Sequence, residues 1–356
     1  MSRVLFTGGG TAGHVIPAIP VIHRLVAAGV EIGFVGSRSG LEADLLRDEP
    51  LRYFAISSGK LRRYFSFENL LDVFRVVLGV FDALLVIARF RPDVVFSKGG
   101  FVSFPVVFAA WLWRIPVVAH ESDLSPGLAN RLSLPFIRTL CVNFPVTRPA
   151  KFKGKVLYTG TPVREALLAG DADEGRRLLS IDATTPVLLV TGGSLGADVI
   201  NATLRSALPE LCRSWHVVHV CGPGKKVEID NHRYSQFEYV RGEWGHLLAA
   251  ADLVVSRAGA NTLYELVLLG KINLLVPLSK RVSRGDQIEN ADYAAEHGYS
   301  AVLDEDVLNP QSLVSAIERL REASSDYRRA LDEFAAPDSV TLLSEEIQRQ
   351  VTAAAN

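Results

Sequence analysis

Three glycine-rich runs carry the chemistry open to this sequence. They are Gly8-Gly9-Gly10-Thr11-Ala12-Gly13-His14, Lys98-Gly99-Gly100-Phe101-Val102-Ser103 and Gly192-Gly193-Ser194-Leu195-Gly196-Ala197. Each follows a short apolar run: Val4-Leu5-Phe6-Thr7, Asp93-Val94-Val95-Phe96 and Val187-Leu188-Leu189-Val190. Glycine lets a backbone turn tightly and approach a ligand, and a helix starting there points N–H groups at an anion. One such loop means little, because any strand-to-helix turn can use glycine for geometry alone. Three at equivalent places are harder to assign to geometry. Their spacing departs from G-x-G-x-x-G, and no acidic residue ends a second strand about 20 residues later to hold an adenosine ribose. Both features argue against a nicotinamide dehydrogenase.

His14 is expected where the first helix begins. A helix N-terminus disfavours imidazolium, so a histidine there stays neutral and can take a proton from a hydroxyl nucleophile. A histidine that only caps or packs at the turn fits the position as well. A fourth run, Ser256 to Glu265, follows another apolar stretch. Thr262 and Glu265 have capping-box spacing and could simply start a helix. Alternatively, Glu265 accepts hydrogen bonds from a ribose diol while the preceding amides face phosphate. Farther on, Asp286, Gln287 and Asn290 fall within about one helical turn. Polar groups gathered at a helix start suit sugar hydroxyls, although a solvated helix end reads the same way.

The elements that must position these residues alternate between short β-rich runs and longer helical patterns, the plan of parallel sheets covered by helices. In the first half, strands are expected near 2–7, 31–35, 93–96, 116–119 and 140–143, with helices over most of 13–28, 40–48, 67–89 and 100–113. The second half restarts the pattern. It has strands near 187–191, 217–221, 253–256 and 273–276, and helices near 197–213, 261–269, 286–297, 311–322 and 325–335. The seam is expected near 150–165, where Lys151-Phe152-Lys153-Gly154-Lys155 reads as polar and flexible. The expected fold is α/β, two Rossmann-like domains facing across a cleft, with ligands at the carboxyl ends of the strands. The domains are 1–160 and 161–336, with a C-terminal helix at about 337–356 packing back on the first.

A chain of 356 residues exceeds what one core usually organises, and 48% apolar with 22% charged residues excludes a disordered chain. The net charge of −1 conceals an asymmetry: residues 1–160 hold 19 basic and 11 acidic side chains, and the remainder 19 and 28. A basic first half faces something anionic, nucleic acid or a membrane surface. Residues 67–89 carry Leu70, Leu71, Val73, Phe74, Val77, Leu78 and Phe81, more than one buried stripe needs. Lys60, Arg62, Arg63 and Arg75 lie close by, and Trp111-Leu112-Trp113-Arg114 repeats the theme. A buried helix in a large core is the plain alternative, and the charge asymmetry favours a membrane surface. Asp82, Arg114 and Pro116 interrupt the apolar stretches short of a span, and no secretory segment opens the chain, so a soluble or peripheral protein is expected. Cys141, Cys212 and Cys221 fit no zinc or redox spacing and read as reduced cytoplasmic thiols.

Together these motifs resemble the bacterial MurG family of N-acetylglucosaminyltransferases. The matching stretches are GGGTAGHVIPA at 8–18, SKGGFVSFP at 97–105, HESDLSPGLANR at 120–131 and TGTPVRE at 159–165. GGSLGA at 192–197, SRAGANTLYE at 256–265 and SRGDQIENA at 283–291 complete the set. The resemblance implies a GT-B fold and uridine diphosphate N-acetylglucosamine (UDP-GlcNAc) bound mainly by the second domain. It implies that Ser194 and Arg164 meet the diphosphate and Glu265 the ribose, while Ala260, Asn261 and Thr262 approach the phosphates. Gln287, with Asp286 or Asn290, would read the sugar, and main chain near Val240 and Arg241 the uracil. Thr11, Ala12 and Gly13 would close over sugar and acceptor, with His14 as candidate base. Ala12, Leu195 and Asp123 depart from the commonest family pattern, which puts a donor role for Asp123 in question. The implied acceptor is undecaprenyl-linked N-acetylmuramoyl-pentapeptide at the cytoplasmic face of the membrane. No metal, cofactor or nucleic acid is implied. Another GT-B glycolipid transferase, a non-hydrolysing sugar-nucleotide epimerase and a non-catalytic nucleotide-dependent membrane module are the alternatives.

Overall fold

The computed structural model describes residues 2–38, 40–59, 67–150, 152–240 and 242–355. Lys60, Arg62, Arg63, Lys151 and Arg241 lie outside the described residues, as do the side chains of Leu70, Leu71 and Val73. The chain divides into two compact units, Met1–Arg164 with Pro337–Asn356, and Glu165–Ala336.

The first unit is built on seven parallel strands: β1 (Arg3–Thr7), β2 (Glu31–Ser37), β3 (Arg52–Ile56), β4 (Val94–Ser97), β5 (Val117–Glu121), β6 (Thr139–Val142) and β7 (Lys155–Tyr158). Their order is β3-β2-β1-β4-β5-β6-β7. Helices are α1 (Ile19–Ala27), α2 (Glu42–Leu45), α3 (Phe67–Phe90), α4 (Ser103–Leu112) and α5 (Leu128–Ser133). A parallel sheet covered on both faces favours unbroken apolar runs, and β4 and β5 are buried at every position. The pleat sends Leu5 and Val95 to one core with Val106 and Ile87, and Val4 and Phe6 to the other with Ile22 and Leu25.

No unbroken helix covers 13–28. Two 3₁₀ turns, Ala12–His14 and Ile16–Ala18, precede α1. Pro17 and Pro20 have no N–H to bond back to residues 13 and 16, so a regular helix is confined to the stretch from Ile19 onward. Helix α2 is likewise a single turn rather than the whole of 40–48.

The second unit holds β8 (Val187–Thr191), β9 (His216–Val220), β10 (Tyr234–Phe237), β11 (Leu253–Ser256), β12 (Asn273–Leu275) and β13 (Ala301–Val302), in the order β10-β9-β8-β11-β12-β13. Its helices are α6 (Glu165–Leu168), α7 (Ala172–Leu179), α8 (Asp198–Leu211), α9 (Trp244–Ala250), α10 (Ala260–Leu268), α11 (Asp286–Glu296), α12 (Pro310–Glu322) and α13 (Ser324–Asp332). Side chains cap α7 and α12: Asp171 accepts from Asp173 and Glu174 N–H, and Asn309 and Ser312 cap each other's backbone.

The chain then returns as α14 (Ser339–Ala355), which buries Leu343 and Ile347 in the first unit's core. Beside them the Glu346 carboxylate accepts from Thr139 Oγ1 (2.7 Å), Lys155 Nζ (2.9 Å), Arg349 Nε (2.9 Å) and Gln350 Nε2 (2.9 Å). Burial alone would raise its pKa, but these donors outweigh burial and hold it down at about 2. A folded-state value below the unfolded one stabilises the fold above the unfolded pKa and is lost as pH falls through the folded one. Glu346→Gln is therefore expected to cost about 2 kcal/mol near neutrality, less than the full shift because the Lys155 and Arg349 side chains are half exposed. Urea unfolding of both proteins between about pH 7 and pH 2 checks it: the difference should shrink below about pH 4.5.

Candidate active site

In each sheet the strand order reverses between two neighbours, β1 and β4 in the first and β8 and β11 in the second. Loops leaving such a pair diverge to opposite faces and open a crevice at the strand ends. All four loops there are the glycine-bearing ones.

After β1 and β4 the two loops pack backbone on backbone. Gly9 N–H donates to Gly99 O (3.3 Å), and a Cβ on Gly100 (φ +88°) would lie 2.0 Å from Gly9 O. Glu42, almost wholly buried, holds the first loop from behind. Its carboxylate accepts from Gly10 N–H (2.7 Å) and Ser37 Oγ (3.0 Å). His14 is half-buried, with Nδ1 3.0 Å from Thr11 Oγ1. It ends the 3₁₀ turn Ala12–His14 and lies five residues before α1. The Thr11 hydroxyl is a group that can orient the ring. Ala12 and Gly13 complete that turn, both partly exposed.

Behind the second loop lies a buried polar network. Lys98 Nζ donates to His120 Nδ1 (2.9 Å) and to Ser122 Oγ, and His120 Nε2–H donates to Gly160 O (2.8 Å). Those two contacts fix the histidine tautomer. Burial, reinforced by the Lys98 charge, holds the His120 pKa well below its ordinary value. Burial also pushes the Lys98 ammonium down to about 8, against the pull of Glu121 and Asp123. Glu121 accepts from Asp123 N–H (3.0 Å), Gly127 N–H (3.0 Å) and Asn130 Nδ2 (2.9 Å), which shapes the 121–130 loop and leaves Asp123 half-buried on it.

In the second unit, Gly193 (φ +87°) and Gly196 (φ +68°) turn the chain after β8 and leave Ser194 exposed. A Cβ on Gly196 would lie 1.8 Å from Cys221 O. Helix α8 starts at this loop with no side-chain cap. Helices α10 and α11 also start without one, on Gly259 and Gly285, unlike the capped α7 and α12. Uncapped starts at strand ends present N–H groups and a positive dipole end to an anion.

Thr262 does not begin its helix. The N-cap is Gly259, so Thr262 is the third helical residue, and the capping-box explanation of Thr262 and Glu265 falls. Glu265 is half-buried in the second turn, after Ala260 (buried) and Asn261 (half-buried). Gln287 Oε1 accepts from Leu278 N–H (3.1 Å), and Asp286 pairs with Arg284 Nε (3.1 Å). Asn290 is fully buried and donates to Ala258 O (3.1 Å), so it braces the loop before α10. Arg164, exposed, is the last residue of the first unit's main segment.

Residues 4–141 match the glycosyltransferase family 28 N-terminal domain, and residues 187–343 the family 28 C-terminal domain. The UDP-N-acetylglucosamine--N-acetylmuramyl-(pentapeptide) pyrophosphoryl-undecaprenol N-acetylglucosamine transferase of Clostridium kluyveri is 45% identical over 98% of this chain and 99% of its own. The protein of the same name from Legionella pneumophila is 46% identical over 96% of each. The crystal structure of Acinetobacter baumannii MurG is similar with a TM-score of 0.76 at 25% identity, covering 98% of this chain and 100% of that one. The chain belongs to the MurG family.

As a MurG-family glycosyltransferase, the chain has two Rossmann-like units of the GT-B kind. Among the residues behind the loops, Glu42 belongs to no sequence motif, whereas Lys98 opens the second glycine-rich run and His120-Glu121 the stretch at 120–131. A polar residue at the end of an apolar strand, as with Ser97-Lys98 and His120-Glu121, faces the ligand end of a parallel sheet.

Proposed function

We infer that this chain transfers N-acetylglucosamine from UDP-GlcNAc to the C4 hydroxyl of undecaprenyl-pyrophosphoryl N-acetylmuramoyl-pentapeptide, making the disaccharide lipid of peptidoglycan synthesis. The observation that carries it is identity of 45% across 98% of the chain to an enzyme whose name states these substrates. In the displacement, the acceptor oxygen bonds to the donor anomeric carbon, the bond from that carbon to the diphosphate breaks, and the hydroxyl proton passes to a base. His14 is the base, with Nδ1–H donated to Thr11 Oγ1 and Nε2 taking the proton. The uncapped starts of α8 and α10, with Ser194, Arg164, Ala260, Asn261 and Thr262, receive the charge that develops on the leaving diphosphate. Glu265 accepts from the ribose hydroxyls, and Gln287 with Asp286 meets the sugar. Arg241 belongs to the uracil pocket in this reading. Transfer of radiolabelled sugar to a short-chain acceptor analogue in the presence of chelator tests the reading. Product is expected, and its absence in a protein that binds UDP would return the acceptor to the rival transferases.

The acceptor's lipid implies a membrane-facing surface, and the first unit offers one. Helix α3 buries Ala83, Ile87 and Phe90 yet exposes Phe74 (66%), Val77, Leu78, Phe81 (61%) and Leu85 (68%) at helical spacing. Its packed neighbour α4 ends in Trp111 and Leu112, with Trp113 following, all about half exposed. Arg75 and Arg114 are exposed beside them. Among the described residues no helix is long and apolar enough to cross a membrane. An apolar patch with cations suits peripheral binding to an anionic leaflet. Phe81→Glu with Leu85→Glu is expected to weaken binding to anionic vesicles at least about tenfold, since each side chain inserted contributes roughly 1.5–3 kcal/mol. Flotation measures it, and activity on a water-soluble acceptor should be unchanged. Undiminished vesicle binding would remove this surface from the reading.

A further inference from the structure

Glu305 lies in a 3₁₀ turn after β13, outside every motif that marks the nucleotide site. Its side chain is nearly buried, and both carboxylate oxygens are engaged. Oε1 accepts from the Arg257 guanidinium, and Oε2 accepts from Ser279 N–H at 2.8 Å. Arg257 directly follows β11 and opens the turn that leads into α10, the helix of Ala260, Asn261, Thr262 and Glu265. Ser279 lies in the loop that follows β12 and leads into α11, which carries Asp286 and Gln287. Arg257 closes the link on its other side, donating through Nη1 to Val276 O at 3.1 Å. One carboxylate therefore ties together the loops after two neighbouring strands.

We propose that Glu305, acting through Arg257 and Ser279, is a positioning residue that sets the spacing between α10 and the start of α11, and with it the grip on the sugar of the donor. The proposal rests on the reading of α10 and α11 as the donor site. Secondary contacts give the spacing its consequence. Asn290, in the second turn of α11, reaches back to Ala258 O, so a second brace joins α11 to the turn before α10. Gln287 Oε1 is occupied by Leu278 N–H, the residue before Ser279. The end of the Gln287 amide that meets a sugar is then its NH2, a donor placed by the loop that Glu305 holds. A buried pair of this kind contributes little to stability compared with an apolar pair, while its charged, directional hydrogen bonds fix geometry closely.

The test measures calorimetric affinity for UDP-GlcNAc and for UDP alone, together with kcat and both KM values, in full-length Glu305→Ala, Glu305→Gln and Arg257→Lys proteins. Glu305→Ala is expected to weaken UDP-GlcNAc about tenfold, the loss of one charge-assisted link. UDP should weaken less, because the displaced loop leads to Gln287. Acceptor KM should stay within about twofold, as should kcat at saturating donor. Glu305→Gln, which keeps one acceptor oxygen, should fall between Glu305→Ala and the wild type. Arg257→Lys should reproduce the donor effect, since a lysine cannot span Val276 O and Glu305 together. Unchanged UDP-GlcNAc affinity in a folded Glu305→Ala protein would overturn the proposal. So would equal weakening of donor and acceptor in proportion to a lowered Tm, the mark of a purely structural pair. Failure of the wild type to transfer sugar would sink the functional reading alone, because the calorimetric comparison would still decide the role of Glu305.

Discussion

His14→Ala is expected to lower kcat about 10²–10⁴-fold, the usual worth of a positioned general base. Donor KM should be nearly unchanged, because the residues assigned to the nucleotide, Arg164 apart, belong to the second unit. The companion variant Thr11→Ala separates two arrangements of the same 3.0 Å contact. If Nδ1–H donates to Thr11 Oγ1, the proton acceptor is Nε2, and losing the hydroxyl removes only an orienting bond. The expected fall is then about tenfold, in line with one neutral hydrogen bond. If Thr11 instead donates to Nδ1, the ring presents Nε2–H and cannot act as base in that state. Thr11→Ala would then raise activity or leave it alone. Steady-state rates with a soluble acceptor decide between them. A His14→Ala protein retaining more than about a tenth of wild-type kcat would move the base elsewhere, and Asp123, on the loop shaped by Glu121, is the next residue to test.

The parts of the fold legible in the sequence are those whose burial is two-sided. The inner strands β1, β4, β5, β8 and β11 read as apolar runs because helices cover both faces of each sheet. The strands without a signature are β3, β7, β10 and β13, which are the two edges of each sheet. An edge strand has one neighbour and meets solvent, so it need not be apolar. Lys155-Val-Leu-Tyr and Tyr234-Ser-Gln-Phe look like loop, and β7 grows out of a lysine-rich run read as linker. The helix expected over 13–28 fails for a local reason, the prolines at 17 and 20.

The site divides in a similar way. Loop glycines are legible because a tight turn and a close backbone approach dictate residue type and position together. Glu42 and Glu305 are not, because they act on the loops from behind, through contacts between residues far apart in the chain. Glu42 reaches a loop 32 residues away, and Glu305 reaches Arg257 across 48. Asn290 shows the converse, a motif residue whose buried side chain supports the loop. Thr262 shows how a local pattern misleads: its spacing to Glu265 fits a cap, yet the helix begins on Gly259.

Gly100→Ala is the second large effect expected, and it tests the packing that holds the His14 loop. At φ +88° an alanine is strained whatever surrounds it, costing roughly 1–3 kcal/mol. Here the added Cβ would also lie 2.0 Å from Gly9 O and 3.0 Å from Gly9 C. These are backbone atoms with no rotamer to move, so the two loops must part. Parting them would pull Gly9 N–H from Gly99 O and shift the turn that carries Thr11 and His14. Activity is expected to fall at least about 10²-fold, since misplacing a catalytic group by an ångström has that cost. UDP affinity, a property of the second unit in the proposed reading, should hold within about threefold, well under the 1.4 kcal/mol of a tenfold change. Gly29→Ala is the control, because Gly29, between α1 and β2, has a φ of +78° but nothing within 4 Å of an added Cβ. It should show the backbone strain without the collision. If Gly100→Ala were no worse for activity on a soluble acceptor than Gly29→Ala, contact between the two loops would not be what places His14.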